Sequence, residues 1–272
     1  MASITDCVSE GLKYPLNDVK KLLILGVFFT ISNIILFGIF EENLHVFRVL
    51  ALVKGTLSFR FSQIPPNDIY IIAALTVISF IISLIILGYQ YIVIKFSIDA
   101  NNNLPEFGDI ANLLVNGLKY FAVSLIYNII PTIVLIAGVE LIQDVDYIMS
   151  IISFILFLIC NFLLIMALAN MIDSNEFKKA FDLKEITDKI SKLGWVKYIG
   201  IILFTIIIYG IIMLALGIIL MFISMFIAVA INQAMIIASI LLIINGLFIM
   251  PYISVFFNKV YGSIYREAIK NA

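Results

Sequence analysis

Leu104-Pro105-Glu106-Phe107-Gly108-Asp109-Ile110, running on through Asn116-Gly117-Leu118-Lys119-Tyr120, is a short polar interlude between two long apolar runs. It ends in a Gly-Leu-Lys-Tyr signature that delivers the chain into the next run. The same four residues stand at Gly11-Leu12-Lys13-Tyr14 ahead of the first apolar run. A looser form, Gly194-Trp195-Val196-Lys197-Tyr198, stands ahead of the fifth. The recurrence marks these segments as surface steps from which alternate membrane helices start.

Composition sets the solvent. Of 272 residues, 63% are hydrophobic and 13% charged, and the mean hydropathy is +1.14. A soluble domain carries about a quarter charged residues to keep its surface wet; here most side chains must face lipid. The net charge of −1 gives no basic excess for nucleic acid. Zinc-finger spacings, a Walker loop and a glycine-rich dinucleotide loop are all missing. Cys7 and Cys160 lie in segments expected to sit far apart, so no disulfide is expected. The first apolar run lacks a small-residue cleavage pattern, which reads as a retained first span.

Six spans are expected, at about 22–40, 69–93, 121–139, 147–171, 199–222 and 235–257, within a single polytopic domain covering 1–272. Each is long enough to cross a hydrocarbon core of about 30 Å. The apolar stretch from Tyr198 to Phe257 is too long for one crossing, and Asn232-Gln233 supplies the break. Pro251 should kink the sixth span. Ile4, Val8 and Leu12 at four-residue spacing predict an amphipathic helix ended by Pro15, with Asn17 or Asp18 capping the next. Phe107, Ile110, Leu114 and Leu118 predict a second, with Pro105 in its first turn. Phe177, Phe181, Ile186, Ile190 and Leu193 form the apolar stripe of a third, and Asp182 with Glu185 resembles a capping box. Residues 41–68 read as an interfacial helix with an extended piece, and 140–146 as an acidic loop. The fold class is thus all-α integral membrane: three helical hairpins, each preceded by a cytoplasmic amphipathic helix.

Charge orients the hairpins. With six spans, one side holds 14 of the 17 basic residues, and the other only Arg48, Lys54 and Arg60. The positive-inside rule then puts both termini in the cytoplasm. A five-span chain would leave the basic C-terminus outside.

Ionisable residues are nearly absent from span centres, which weighs against proton- or metal-coupled transport. The single histidine, His45, has no cysteine near it, so no metal is expected, and no cofactor. Asn33, Asn128, Asn161 and Asn245 fall near the centres of spans one, three, four and six, with Ser83 and Tyr209 at equivalent depth in the others. They read either as a polar seam through the bundle or as interhelical hydrogen bonds worth about 0.6–2 kcal/mol each. Pro105, Glu106, Asp109 and Lys119 form a candidate cytoplasmic surface motif. Its two acids lie one turn apart, as in a cation or acid–base site, although acids in a first turn also stabilise a helix start. The lysine-rich face of 173–197 suits anionic headgroups or a protein partner. No Ser-His-Asp, Cys-His or His-Glu set is present, so a non-enzyme is expected.

The Leu104–Asp109 loop, Gly117-Leu118-Lys119-Tyr120 and Tyr127-Asn128-Ile129-Ile130-Pro131 resemble the archaeal membrane family called domain of unknown function 4013. Tyr14-Pro15, Asp18-Val19-Lys20-Lys21 and Tyr261-Gly262-Ser263-Ile264-Tyr265 fit the same pattern. The resemblance implies a multi-pass membrane protein of no established activity and hands over no catalytic residue. In architecture alone, the chain is also similar to membrane domains that accompany glycerophosphodiester phosphodiesterases. The expected function is a non-enzymatic, lipid- or partner-binding organiser or accessory subunit of the cell membrane. The alternative is a lipid or small-amphiphile transporter or scramblase using the asparagine seam. Membrane lipids, another membrane protein or a second copy are the expected partners.

Overall fold

A computed structural model describes residues 4–52, 66–141, 146–231 and 234–270. The segment 53–65 with Pro65, residues 142–145 with Asp144, and Asn232-Gln233 lie outside the described residues. So do the side chains of His45, Glu140 and Asp146. Every regular element among the described residues is helical.

Helix α1 (Ile4–Lys13) and a 3-10 turn (Tyr14–Asn17) lead into α2 (Val19–Leu52) and α3 (Pro66–Ile98). Then come α4 (Ile110–Leu141) and α5 (Asp146–Ser174). A 3-10 turn (Phe177–Phe181) and α6 (Leu183–Leu193) precede α7 (Trp195–Ile231). Finally α8 (Ala234–Ile244), a π-helical turn (Asn245–Ile249) and α9 (Met250–Lys270) form one continuous rod. Among the described residues, six stretches are long and apolar enough to cross a membrane, and they contain the six expected spans or most of each. The multi-pass membrane architecture follows from them.

The surface segments differ from expectation in an instructive way. Ahead of the first and fifth spans they are separate helices, α1 and α6. Ahead of the third, residues 110–120 are the opening turns of α4 itself, and Pro105 sits in the preceding loop rather than in a helical turn. Similarly, α2 continues unbroken to Leu52, so no separate interfacial helix begins at Glu41. Neither stretch contains a proline, so nothing stops either helix from extending through its polar residues.

Close helix crossings are built on glycine. A Cβ on Gly88 of α3 would lie 2.7 Å from the Leu113 carbonyl carbon of α4, and one on Gly117 equally close to that of Leu84. The two glycines are reciprocal, each receiving the carbonyl one turn before the other, which suits weak Cα–H···O contacts. Lipid gives helices no hydrophobic drive to associate, so small residues that admit close backbones do the work. Gly26 of α2 and Gly246 of the π-helical turn form a second such crossing, against Leu247 and Thr30.

That π-helical turn lies immediately before Pro251, where the sequence places a kink. Pro251 has no N–H for the Leu247 carbonyl, and its ring crowds that position. Widening the turn by one residue solves both, and the Met250 N–H bonds the Asn245 carbonyl. The core gathers at the end of the bundle that carries both termini: α1 packs on α9, and Cys7, Val8, Ile190, Phe256 and Tyr265 are all buried there. By contrast, α7 is peripheral, with no described residue buried beyond Thr205.

Candidate functional site

The loop between α3 and α4 is fixed by an unusual arrangement of side chains. Five successive carbonyls each accept from a different residue. Lys259 Nζ reaches Asn101 at 3.4 Å, Asn17 Nδ2 reaches Asn102 at 2.8 Å, and the Tyr14 hydroxyl reaches Asn103 at 2.7 Å. Lys21 Nζ donates to Leu104 at 2.9 Å and the Tyr89 hydroxyl to Pro105 at 3.1 Å. Loop backbone at a bundle end must find partners or water; here the partners come from four elements. Phe107 closes the loop by stacking on Tyr89 at 4.3 Å and Phe28 at 5.7 Å. Lys259 also lies 4.5 Å over the Tyr14 ring.

Beside this loop opens a cavity of about 540 Å3. Lys21, Asn17, Asn101 and Asn103 supply its polar wall, and Ile92 and Phe96 its apolar one. Lys21 lies 3.5 Å from Asp18 and 3.8 Å from Glu106. The backbone N–H and the ammonium of Lys21 hold the Asp18 carboxyl below its usual range. The groove therefore offers one cation, two carboxylates and several amides next to an apolar strip.

The expected surface motif is split by this geometry. Glu106 faces the groove, largely exposed, and Pro105 is buried in the loop. Asp109 instead caps α4, its side chain accepting from the Ala111 N–H at 2.9 Å. Lys119 is half-buried on α4 and forms no ion pair among the described residues. The two acids thus do not converge. The sequence offers Asn17 only as a helix cap and Lys21 only within the Asp18–Lys21 stretch of the family resemblance, and it does not mark Asn103; the run Asn101-Asn102-Asn103 beside the Pro105 loop is the available signal.

The four asparagines form two pairs, not one seam. Asn161 Nδ2 donates to Asn128 Oδ1 at 3.1 Å, joining α5 to α4. Asn128 in turn donates to the Ser124 carbonyl. Nearby, Ser153 donates to the Pro131 carbonyl at 2.7 Å and the Tyr127 hydroxyl to Ala180 at 2.7 Å. Asn33 and Asn245 line a separate cavity with Leu36, Phe37, Leu220, Leu241 and Leu242.

A second polar centre ties α6 to the bundle. Lys189 uses all three ammonium protons, on Asn170 Oδ1 (2.5 Å), the Tyr265 hydroxyl (2.6 Å) and Glu185 Oε1 (2.8 Å). Tyr265 passes its own proton toward Asp173 Oδ2 at 3.0 Å. Hydrogen bonds from Lys179 and Lys189 hold Glu185 down to about 2. Ile186 and Ile190 are fully buried beneath these charges, so the stripe and the ion pairs act on opposite faces of one helix. Farther along, Arg266 pairs with Glu10 at 2.9 Å and pins α1 to α9. Burial pushes the nearby Cys7 thiol up to about 11, leaving it a protonated apolar filler. Both cysteines are free. These contacts tie α6 and α1 to the bundle.

The model of the protein of unknown function family DUF4013 matches residues 71–221, and the chain belongs to that family. An uncharacterised protein of Methanocaldococcus jannaschii is 30% identical over 153 residues, covering 50% of this chain and 49% of the relative. The chain therefore spans about half the length of the curated relative it matches. No solved structure matches.

Proposed function

We propose that this family member is a non-enzymatic multi-pass protein of the cell membrane, with both termini in the cytoplasm, that binds a phospholipid headgroup. The reading is carried by the groove at Lys21. Its ammonium suits a phosphate, Glu106 and Asp18 suit an amine or polyol, and Ile92 and Phe96 suit the start of an acyl or isoprenoid chain. The concentration of basic residues at that end supports the orientation. Such a protein would act as a lipid-organising or accessory subunit. A transporter or scramblase drawing lipid through four asparagines has less support, since Asn128 and Asn161 use their amides on each other.

Native mass spectrometry of protein extracted gently from its own membranes tests the reading. A defined phospholipid should be retained, and Lys21→Met, which keeps the alkyl stem, should lose it. Retention unchanged in Lys21→Met and in Glu106→Gln would defeat the groove. A stoichiometric second protein with no bound lipid would make the chain an accessory subunit by protein contact instead.

A further inference from the structure

The cavity between α2, α7 and α8 differs from the headgroup groove in every chemical respect. It is an open, lipid-facing groove of about 550 Å3, with Leu36 52% and Phe37 37% exposed along it. Its described lining carries no charged residue: five aliphatic or aromatic side chains and the two amides of Asn33 and Asn245. Asn33 stands fourteen residues beyond Val19, about 21 Å along α2 at 1.5 Å per residue, well inside the hydrocarbon region.

The geometry brings these amides to one place. At Gly26–Leu247 and Thr30–Gly246 the backbones of α2 and the π-helical turn meet closely. One turn farther along α2 and one residue before Gly246, the two asparagines reach the space where the helices part. Asn245 opens the π-helical turn, a distortion that is frequent at functional sites. Neither amide forms a side-chain hydrogen bond among the described residues, unlike Asn128 and Asn161 in the same bundle. An amide left unpaired in lipid is costly, so a partner is expected to come from outside the chain.

We propose that this cavity is a binding site for an uncharged lipid alcohol, whose hydroxyl bridges Asn33 and Asn245. A hydroxyl donates one hydrogen bond and accepts others, which matches an amide oxygen on one wall and an amide N–H on the other. Leu36, Phe37, Leu220 and Leu241 then hold the hydrocarbon. A phosphate or ammonium is excluded, because no counter-charge lines the site and its desolvation would go uncompensated. A free isoprenoid alcohol and a diglyceride share this chemistry. The site is independent of the groove at Lys21, and neither reading needs the other.

The test is binding to the full chain in detergent, using geranylgeraniol, dioleoylglycerol, the hydrocarbon analogue of geranylgeraniol, and its monophosphate. At least one of the two alcohols should bind, and which one identifies the source. The hydrocarbon should bind about tenfold or more weakly, the factor that one hydrogen bond supplies, and the monophosphate more weakly still. Asn33→Leu should bring the alcohol down to the level of the hydrocarbon. Leu220→Trp fills the cavity from α7 without touching either amide, and should block every probe while leaving the melting curve unchanged. Equal binding of alcohol and hydrocarbon would overturn the proposal, as would an unchanged alcohol affinity in Asn33→Leu. Binding of the monophosphate as tight as the alcohol would also overturn it and point to a headgroup path.

Discussion

Replacing Gly117 by alanine tests whether the α3–α4 crossing holds the bundle as its geometry implies. The added methyl would lie 2.7 Å from the Leu84 carbonyl carbon and 3.1 Å from the Gly88 nitrogen. Carbon atoms rest at about 3.5–4.0 Å, and the Leu84 carbonyl oxygen lies nearer still, so the helices would have to part by more than about 1 Å. The obstacle is backbone on both sides and cannot rotate away. Overpacking of this kind costs about 1–3 kcal/mol. At about 2–4 °C per kcal/mol for a chain of this size, the melting temperature in detergent should fall by about 2–12 °C. Gly210→Ala is the matched control, since nothing lies within 4 Å of its added carbon. That variant should melt at or slightly above the parent, because alanine is the better helix former. Gly117→Ala melting with Gly210→Ala would refute the close crossing.

The α6 tie should be acid-sensitive. Glu185 is held at about 2 against an ordinary 4.5, so its contribution is complete above pH 4.5 and is lost as pH falls toward 2. Its partly exposed position limits the effect to about 1–2 kcal/mol. Amide exchange across 183–193 should accelerate over that interval, and Glu185→Gln should flatten the response; an equal slope in both proteins would contradict it. Tyr265→Phe removes the hydroxyl between Lys189 and Asp173 and should cost about 1–2 kcal/mol by chemical unfolding. A double-mutant cycle of Asn128→Leu and Asn161→Leu should show a coupling of about 0.6–1.7 kcal/mol. Strict additivity would mean that their 3.1 Å hydrogen bond carries no net energy.

Spans and amphipathic stripes were legible because they depend on periodicity and length alone. The stripe of Ile186, Ile190 and Leu193 and the Asp182 cap appear in α6 as the spacing predicted, with the Asp182 side chain accepting from the Glu185 N–H. The Gly-Leu-Lys-Tyr recurrence was legible as a pattern but not as a cause. Gly11 packs against Val260 and Phe256, Gly117 against Leu84, and Gly194 ends α6 with a φ of +93°. One signature thus does three jobs, because a glycine at a helix end or a helix contact serves different neighbours. What the sequence could not reveal was pairing at distance. Lys189 meets Tyr265, 76 positions away, and Tyr14 meets Asn103, 89 positions away. No local spacing encodes such partners.

The asparagines show why depth alone cannot assign a role. All four lie on apolar helices at similar depth, and composition treats them alike. In α4 and α5 the helices run as immediate neighbours, and Asn128 and Asn161 meet side by side. Between α2 and the π-helical turn, glycine brings the backbones together at Gly26 and Gly246. Because Pro251 widens the next turn, Asn245 is carried to the edge of that contact and not into it. A bundle that pairs one set of amides has no chemical obstacle to pairing the other. It leaves Asn33 and Asn245 facing an open groove instead, with peripheral α7 supplying only Leu220 to the lining, whereas the buried atoms without a partner among the described residues, Asn258 Oδ1 and Arg266 Nε, lie on α9. The same residue type thus acts as a tie in one place and as an open donor–acceptor pair in the other, and the positions of two glycines and one proline set the difference.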